Sequence, residues 1–200
     1  MIGRNPLLLL VLLPSLVLPG VAAADDPAPP KELRRGGMAL AVEAGYGGDS
    51  LEGITESRMR AGQGISAMVG GFYRPRADSP LEIYGLAGYR LGFAAPVIGG
   101  GYYENTKTPV LEVLANYRFD NKWYVAGGLV SHLSPRITSN DPEFHDIRFD
   151  TAVGATVEAG WSFIGVYATY LEYSGAGQHL DASSVGLRFT MRLRKWRPVH

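Results

Sequence analysis

Eight short stretches of this chain alternate apolar residues with small or charged ones, and that repeat narrows the folds open to it more than any other feature. The clearest sets Val185, Leu187, Phe189, Met191 and Leu193 on one face, against Ser184, Gly186, Arg188, Thr190 and Arg192 on the other. Side chains two apart share a strand face, so each stretch carries one apolar face that must leave water. A soluble sheet hides such a face under a second layer, but no segment here reads as a covering helix or spare sheet. A closed barrel with its apolar face in lipid resolves the conflict. The expectation is an all-β, eight-stranded antiparallel up-and-down transmembrane β-barrel.

The strands fall at 38–47, 62–74, 81–93, 108–119, 123–134, 148–162, 164–174 and 183–194. Most have about ten residues, the length a tilted strand needs to cross a bilayer. The joins at Pro75–Pro80, Asp120–Lys122 and Ser162–Phe163 are tight, whereas 48–61, 94–107, 135–147 and 175–182 are longer. Short periplasmic turns and long external loops have this asymmetry. It places both chain ends on the periplasmic side.

Residues 1–24 read as a cleaved secretory signal: Arg4 is the positive n-region, Leu7–Leu18 the apolar h-region, and Val21–Ala24 the small-residue cleavage site. Residues 25–37 form a Pro-rich polar lead, expected to be a flexible periplasmic tail. The barrel is assigned to 38–196. There is no cysteine, which removes lipid anchoring on a thiol, disulfides and thiol metal ligands. No later segment has the roughly 18 apolar residues of a helical span. Net charge is zero with Lys and Arg dispersed, so nothing favours nucleic acid.

Parity sorts the faces. Leu111, Val113, Ala115, Tyr117 and Phe119 oppose Glu112, Asn116 and Arg118, with Leu114 the exception. Phe149, Val153, Ala155, Val157 and Trp161 oppose Asp150, Gly154, Thr156, Glu158 and Gly160. Leu40, Val42 and Tyr46 oppose Ala41, Glu43 and Gly45. The charges collect inside, whereas a lipocalin-like soluble barrel would fill its interior with apolar side chains. Unpaired charge in a confined interior is expensive, so a salt-bridged core is expected. A constant index sum near 200–202 pairs Glu82 with Arg118 and Arg90 with Glu112, and closure of the first strand on the last pairs Glu43 with Arg188. Tyr73, Tyr117, Phe119, Trp123, Trp161 and Phe163 would form a periplasmic aromatic girdle. Tyr46, Tyr89, Phe93, Phe149 and Tyr173 would form an outer one.

With its export signal, eight amphipathic strands, four longer loops and the final strand Ser184-Val185-Gly186-Leu187-Arg188-Phe189, the chain resembles the small outer-membrane β-barrels of Gram-negative bacteria, the opacity-type and outer-membrane-protein-A-like families. The likeness covers 38 to about 194. It implies a monomer in the cell outer membrane, with outer-membrane lipids, lipopolysaccharide and the barrel-assembly machinery as partners. Such chains often end on an aromatic residue of the last strand, whereas here Trp196 is followed by Arg197-Pro198-Val199-His200.

Three segments are candidates for chemistry. His132 and Ser134 share the inward parity near the outer end of the fifth strand, and a His-x-Ser pair resembles the outer-membrane lipid A deacylases, where histidine activates serine. That family carries the motif on a late strand as His-x-Ser-Asn. The matching stretch here is Glu172-Tyr173-Ser174-Gly175-Ala176-Gly177, with glutamate in place of histidine and glycine in place of asparagine. The residues to suspect in a hydrolase are therefore His132, Ser134, Glu172 and Ser174. Asp141-Pro142-Glu143-Phe144-His145-Asp146 offers oxygen and imidazole ligands, though a short acidic loop is usually just solvated. Gly99-Gly100-Gly101-Tyr102-Tyr103 is a Gly-rich loop without the strand-to-helix setting of a phosphate cradle.

No catalytic, cofactor or metal site is assigned. The expectation is a non-enzymatic barrel serving envelope integrity or surface interaction, with at most very limited porin-like solute passage. The alternatives are a lipid A acyl hydrolase-like enzyme and a carrier of small hydrophobic compounds.

Overall fold

The alternating stretches pair edge to edge until the last meets the first. In a computed structural model, the described residues are 35–51, 59–76, 78–93, 104–139, 146–175 and 177–193. They form β1 (Gly36–Tyr46), β2 (Gly64–Tyr73), β3 (Leu81–Phe93), β4 (Glu104–Arg118), β5 (Trp123–His132), β6 (Arg136–Ser139), β7 (Ile147–Arg148), β8 (Ala152–Trp161), β9 (Ile164–Tyr170), β10 (Glu172–Gly175), β11 (Gln178–Asp181) and β12 (Ser184–Leu193). The ring runs β3-β2-β1-β12-β9-β8-β5-β4, and a β3–β4 pairing closes it. All pairings are antiparallel. This is a closed eight-stranded barrel with no helix among the described residues.

The start of β1, the end of β12 and the short connections share one end, here the turn end. Trp161 pairs with Ile164 across the two-residue turn Ser162–Phe163, where Ser162 takes a left-handed φ of 60°. The other end, the loop end, is more built than expected. The segment 135–147 contains the short strand β6 and the start of β7, and β10 and β11 form a separate hairpin. The expected strand 148–162 is interrupted between Arg148 and Ala152, and 164–174 is interrupted at Leu171. The expected tail 25–37 gives up its last two residues, since Gly36 and Gly37 pair with Tyr73 and Phe72. Residues 1–34 and 194–200, with the expected signal and the end of the assigned barrel, lie outside the described residues.

Parity holds along the barrel strands. Val42, Val69, Val113, Val153, Val157 and Val185 are exposed on the outward face, and Glu43, Glu82, Glu112, Glu158 and Arg188 are buried inside. All six residues of the expected turn-end girdle are exposed, with Trp123 directly opposite Trp161. Phe149 and Tyr173 are corrections. Tyr173 shares its parity with the inward Tyr167, and Phe149 follows the break after Arg148; both are buried, 5.7 Å apart between ring centroids. The side chain of Phe93 lies outside the described residues.

The interior is organised around two charged clusters. Arg188, 1% exposed, binds Glu43, Glu112 at 2.7 Å and Glu158 at 2.9 Å. Glu43 and Arg188 are direct cross-strand partners in the closing pair, as the sequence suggested. Four residues nearer the turn end, Arg192 joins Arg74 and Arg118 around Glu82, at 2.8 Å for Arg192 and 2.8 Å for Arg118. One site gathers three carboxylates on a guanidinium, the other three guanidiniums on a carboxylate. The expected Glu82–Arg118 contact is present, but the β3–β4 index sum is 198, as in Glu82↔Asn116, so this pair is diagonal. The same register sets Leu86, not Arg90, opposite Glu112. Arg90 instead donates to the Gly62 carbonyl.

The core is not wholly polar. Ala39, Ala41, Met68, Tyr84, Leu86, Val110, Leu114 and Val130 pack together inside, so Leu114 belongs to an apolar cluster and is not an isolated exception. Space for the charged clusters comes from glycine. A Cβ at Gly165 would overlap the Glu158 carboxylate and the Tyr124 hydroxyl, which hydrogen-bond each other.

Arg188→Met strands three buried carboxylates and should cost about 3–5 kcal/mol. Adding Glu43→Gln should recover part of that loss. Urea unfolding of the refolded barrel, read as a double-mutant cycle, checks the coupling, and full additivity would reject the pair.

Candidate functional site

Most residues singled out for chemistry lie at the loop end, where the wall irregularities decide what they meet. His132 ends β5 and is buried, as parity predicts. Ser134 does not join it. The β4–β5 pairing ends at Val110↔His132 and resumes as Lys107↔Arg136, which leaves one extra residue on the β5–β6 side. Ser134 sits in that bulge with a left-handed φ of 44°, exposed, followed by buried Pro135. A bulge of this kind bends the strand and re-aims its side chains.

The partner of His132 is Tyr173, which lies 2.6 Å from its Nδ1. The two groups satisfy each other through one buried hydrogen bond. Phe149 and Tyr173 belong to an apolar cluster with Leu51, Met59, Ile137, Leu171 and Leu180 that fills this end of the molecule. His132 is thus a satisfied core histidine beneath a hydrophobic cap, and neither Ser134 nor Glu172 hydrogen-bonds to it.

Glu172 and Ser174 do come together, with a residue that sequence reasoning missed. On the β10–β11 hairpin Ser174 is the direct cross-strand partner of His179. Ser174 Oγ is 3.1 Å, and Glu172 Oε1 3.0 Å, from His179 Nδ1. Glu172 and Ser174 continue the outward parity of Val166 and Tyr170, so all three groups lie on the outer side of the wall. The signal that could have found His179 is the hairpin turn at Gly175–Gly177, which folds residues 178–181 back over 172–175.

Both oxygens face one ring nitrogen. If Nδ1 carries the proton, it donates to Glu172 and cannot accept from Ser174. If it is bare, it accepts from Ser174 while a carboxylate oxygen crowds the same lone pair. A serine–histidine–acid relay uses the two ring nitrogens separately, so in this arrangement the serine is not activated. The pair is also open to water, with side-chain exposures of 73% for His179 and 55% for Glu172, and exposed ion pairs contribute little to stability.

Of the loop Asp141–Asp146, only Asp146 lies among the described residues, and it pairs with Arg136. Gly99–Tyr103 lies outside them. Among the described residues no group of three or more His, Cys, Asp or Glu could hold a metal ion.

Tyr173→Phe leaves a buried imidazole nitrogen unpaired and should destabilise the barrel by about 1–3 kcal/mol. Ser134→Ala should change stability by no more than about 0.5 kcal/mol. Urea midpoints at constant slope measure both, and equal losses would place Ser134 back in the His132 network.

No family model matches the chain, and no curated protein matches it.

Proposed function

We propose that the chain is exported and inserts into the outer membrane of a Gram-negative cell as a sealed, non-enzymatic barrel serving envelope integrity or surface interaction. The observation that carries this reading is the pairing of an apolar outward face with a filled interior. An eight-stranded barrel has room inside for side chains and little else. Here Arg188 with its three glutamates, Glu82 with its three arginines, and the apolar cluster beside them occupy that room. The outward valines and leucines, flanked by aromatic residues at the turn end, match the band that lipid demands. A hydrophobic-compound carrier would need a lateral opening, and the shortest pairing in the ring, β9 with β12, still spans six residue pairs.

A second reading, a lipid acyl hydrolase, draws on the meeting of Glu172, Ser174 and His179 on the outer side of the wall, and it requires the His179 ring to turn so that its two nitrogens serve the serine and the acid separately. Glu172 stands two residues, roughly 7 Å, beyond the exposed Tyr170, near the depth where lipid esters would lie.

Two experiments test these readings. With Trp196→Phe as background, fluorescence of Trp123 and Trp161 should be quenched by brominated lipid, and planar bilayers should show no stable open channel. Steady conductance would refute the sealed barrel. Purified full-length protein incubated with lipopolysaccharide should release no fatty acid. Release that disappears in both Ser174→Ala and His179→Ala would overturn the non-enzymatic reading.

A further inference from the structure

The one-residue bulge at Ser134 has a second effect on the wall. On β5 the even-numbered residues Tyr124, Ala126, Val130 and His132 point inward. Past the bulge the parity is reversed: Ile137 is buried in the loop-end cluster, and Arg136 points outward. The interruption between Arg148 and Ala152 does the same on the neighbouring strand, where Ile147 packs on the cluster and Arg148 is exposed. Lys107 already lies on the outward face of β4, in line with Leu111 and Val113.

The register then aligns the three cations. Lys107 pairs with Arg136, and Arg136 pairs with Arg148. Cross-strand neighbours share a face, and like charges set directly opposite one another are destabilising. Among the described residues the anion in contact with the row is Asp146, bound to Arg136. Lys107 and Arg148 have no ion pair among those residues, and Arg136 Nε has no hydrogen-bond partner. The row's height is equally specific. Leu91, opposite Lys107, and Tyr89, opposite Pro109, are both exposed. The row therefore stands one rung, roughly 7 Å, beyond an outward tyrosine and level with the last outward leucine of β3.

We propose that Lys107, Arg136 and Arg148 form a binding site for the phosphate groups of an outer-leaflet glycolipid. Guanidinium and ammonium groups in a row suit phosphate oxygens, with Arg136 and Arg148 able to bind in a forked geometry. The acyl chains of the same lipid would run down the wall from Leu91, level with the row, over Leu111, Val113 and Val153, which are exposed beneath it. One ligand thus satisfies the unpaired cations and the apolar strip together, which free phosphate cannot do. The site rests on the membrane reading above and gives it a specific lipid partner.

Native mass spectrometry of the full-length refolded protein tests the site. The probes are bisphosphorylated lipid A, the same lipid A dephosphorylated, and inorganic phosphate. At about 1 kcal/mol for each cation near a charged lipid surface, the wild type should prefer the phosphorylated lipid by about tenfold or more. The triple variant K107Q/R136Q/R148Q should reduce that preference to within about twofold, while Asp146→Asn, which frees Arg136, should raise it. Arg60→Gln, a cation held by Tyr46 and the Gly48 carbonyl, should leave it unchanged. Heat-modifiable mobility reports folding, and should the triple variant not fold, Lys107→Gln and Arg148→Gln are read singly. An undiminished preference in the variants overturns the proposal, as does inorganic phosphate that in large excess abolishes the wild-type difference. Wild-type protein that enters bilayers but shows no preference sinks this site alone, whereas failure to enter bilayers sinks the membrane reading with it.

Discussion

Closure of β1 on β12 is the pairing on which the rest of the molecule depends. An open eight-stranded sheet would leave two edges of unpaired amides and carbonyls, and its apolar face would have no partner. Joining Met38–Tyr46 to Val185–Leu193 in nine consecutive pairs removes those edges. It also separates an enclosed face from an outer one, which gives the alternation of each strand its meaning. The inner residues must then satisfy one another.

They do so unevenly. Arg188 is surrounded by carboxylates from β1, β4 and β8, and Glu82 by guanidiniums from β4, β12 and the β2–β3 turn. Each cluster alone is out of balance, with an excess of one sign facing an excess of the other along the barrel axis. Small residues set where the clusters fit: the hydroxyl of Tyr167 stands where a Cβ on Gly45 would be, and its ring lies 5.4 Å from the Arg188 guanidinium. The abundance of glycine in the sequence is thus tied to particular bulky and charged neighbours.

Strand number, facing and closure were legible because period-two alternation survives on every barrel strand, and Glu43 and Arg188 met because both stand near the middle of terminal strands. The loop end was less legible for a physical reason. A bulge of one residue at Ser134 reverses every face beyond it, and nothing in Ser-Pro announces its size. Parity carried past that point wrongly turned Ser134 inward. Tyr173 was misplaced for the opposite reason: its height suggested a girdle, while its parity with Tyr167 already pointed inside. The meeting of Ser174 with His179 depended on a hairpin within what read as plain loop.

Alternation has one blind spot that Arg188 covers. A strand that slips by one residue turns its apolar side inward and is rejected at once. A slip of two keeps every face correct, so hydrophobic patterning alone would let the last strand seal the ring out of place. In this barrel such a slip would bring Gly186 or Thr190 opposite Glu43 and strand the glutamates of three strands without their cation. The arginine thus acts as a checksum on closure, satisfied in one alignment of the last strand with the first.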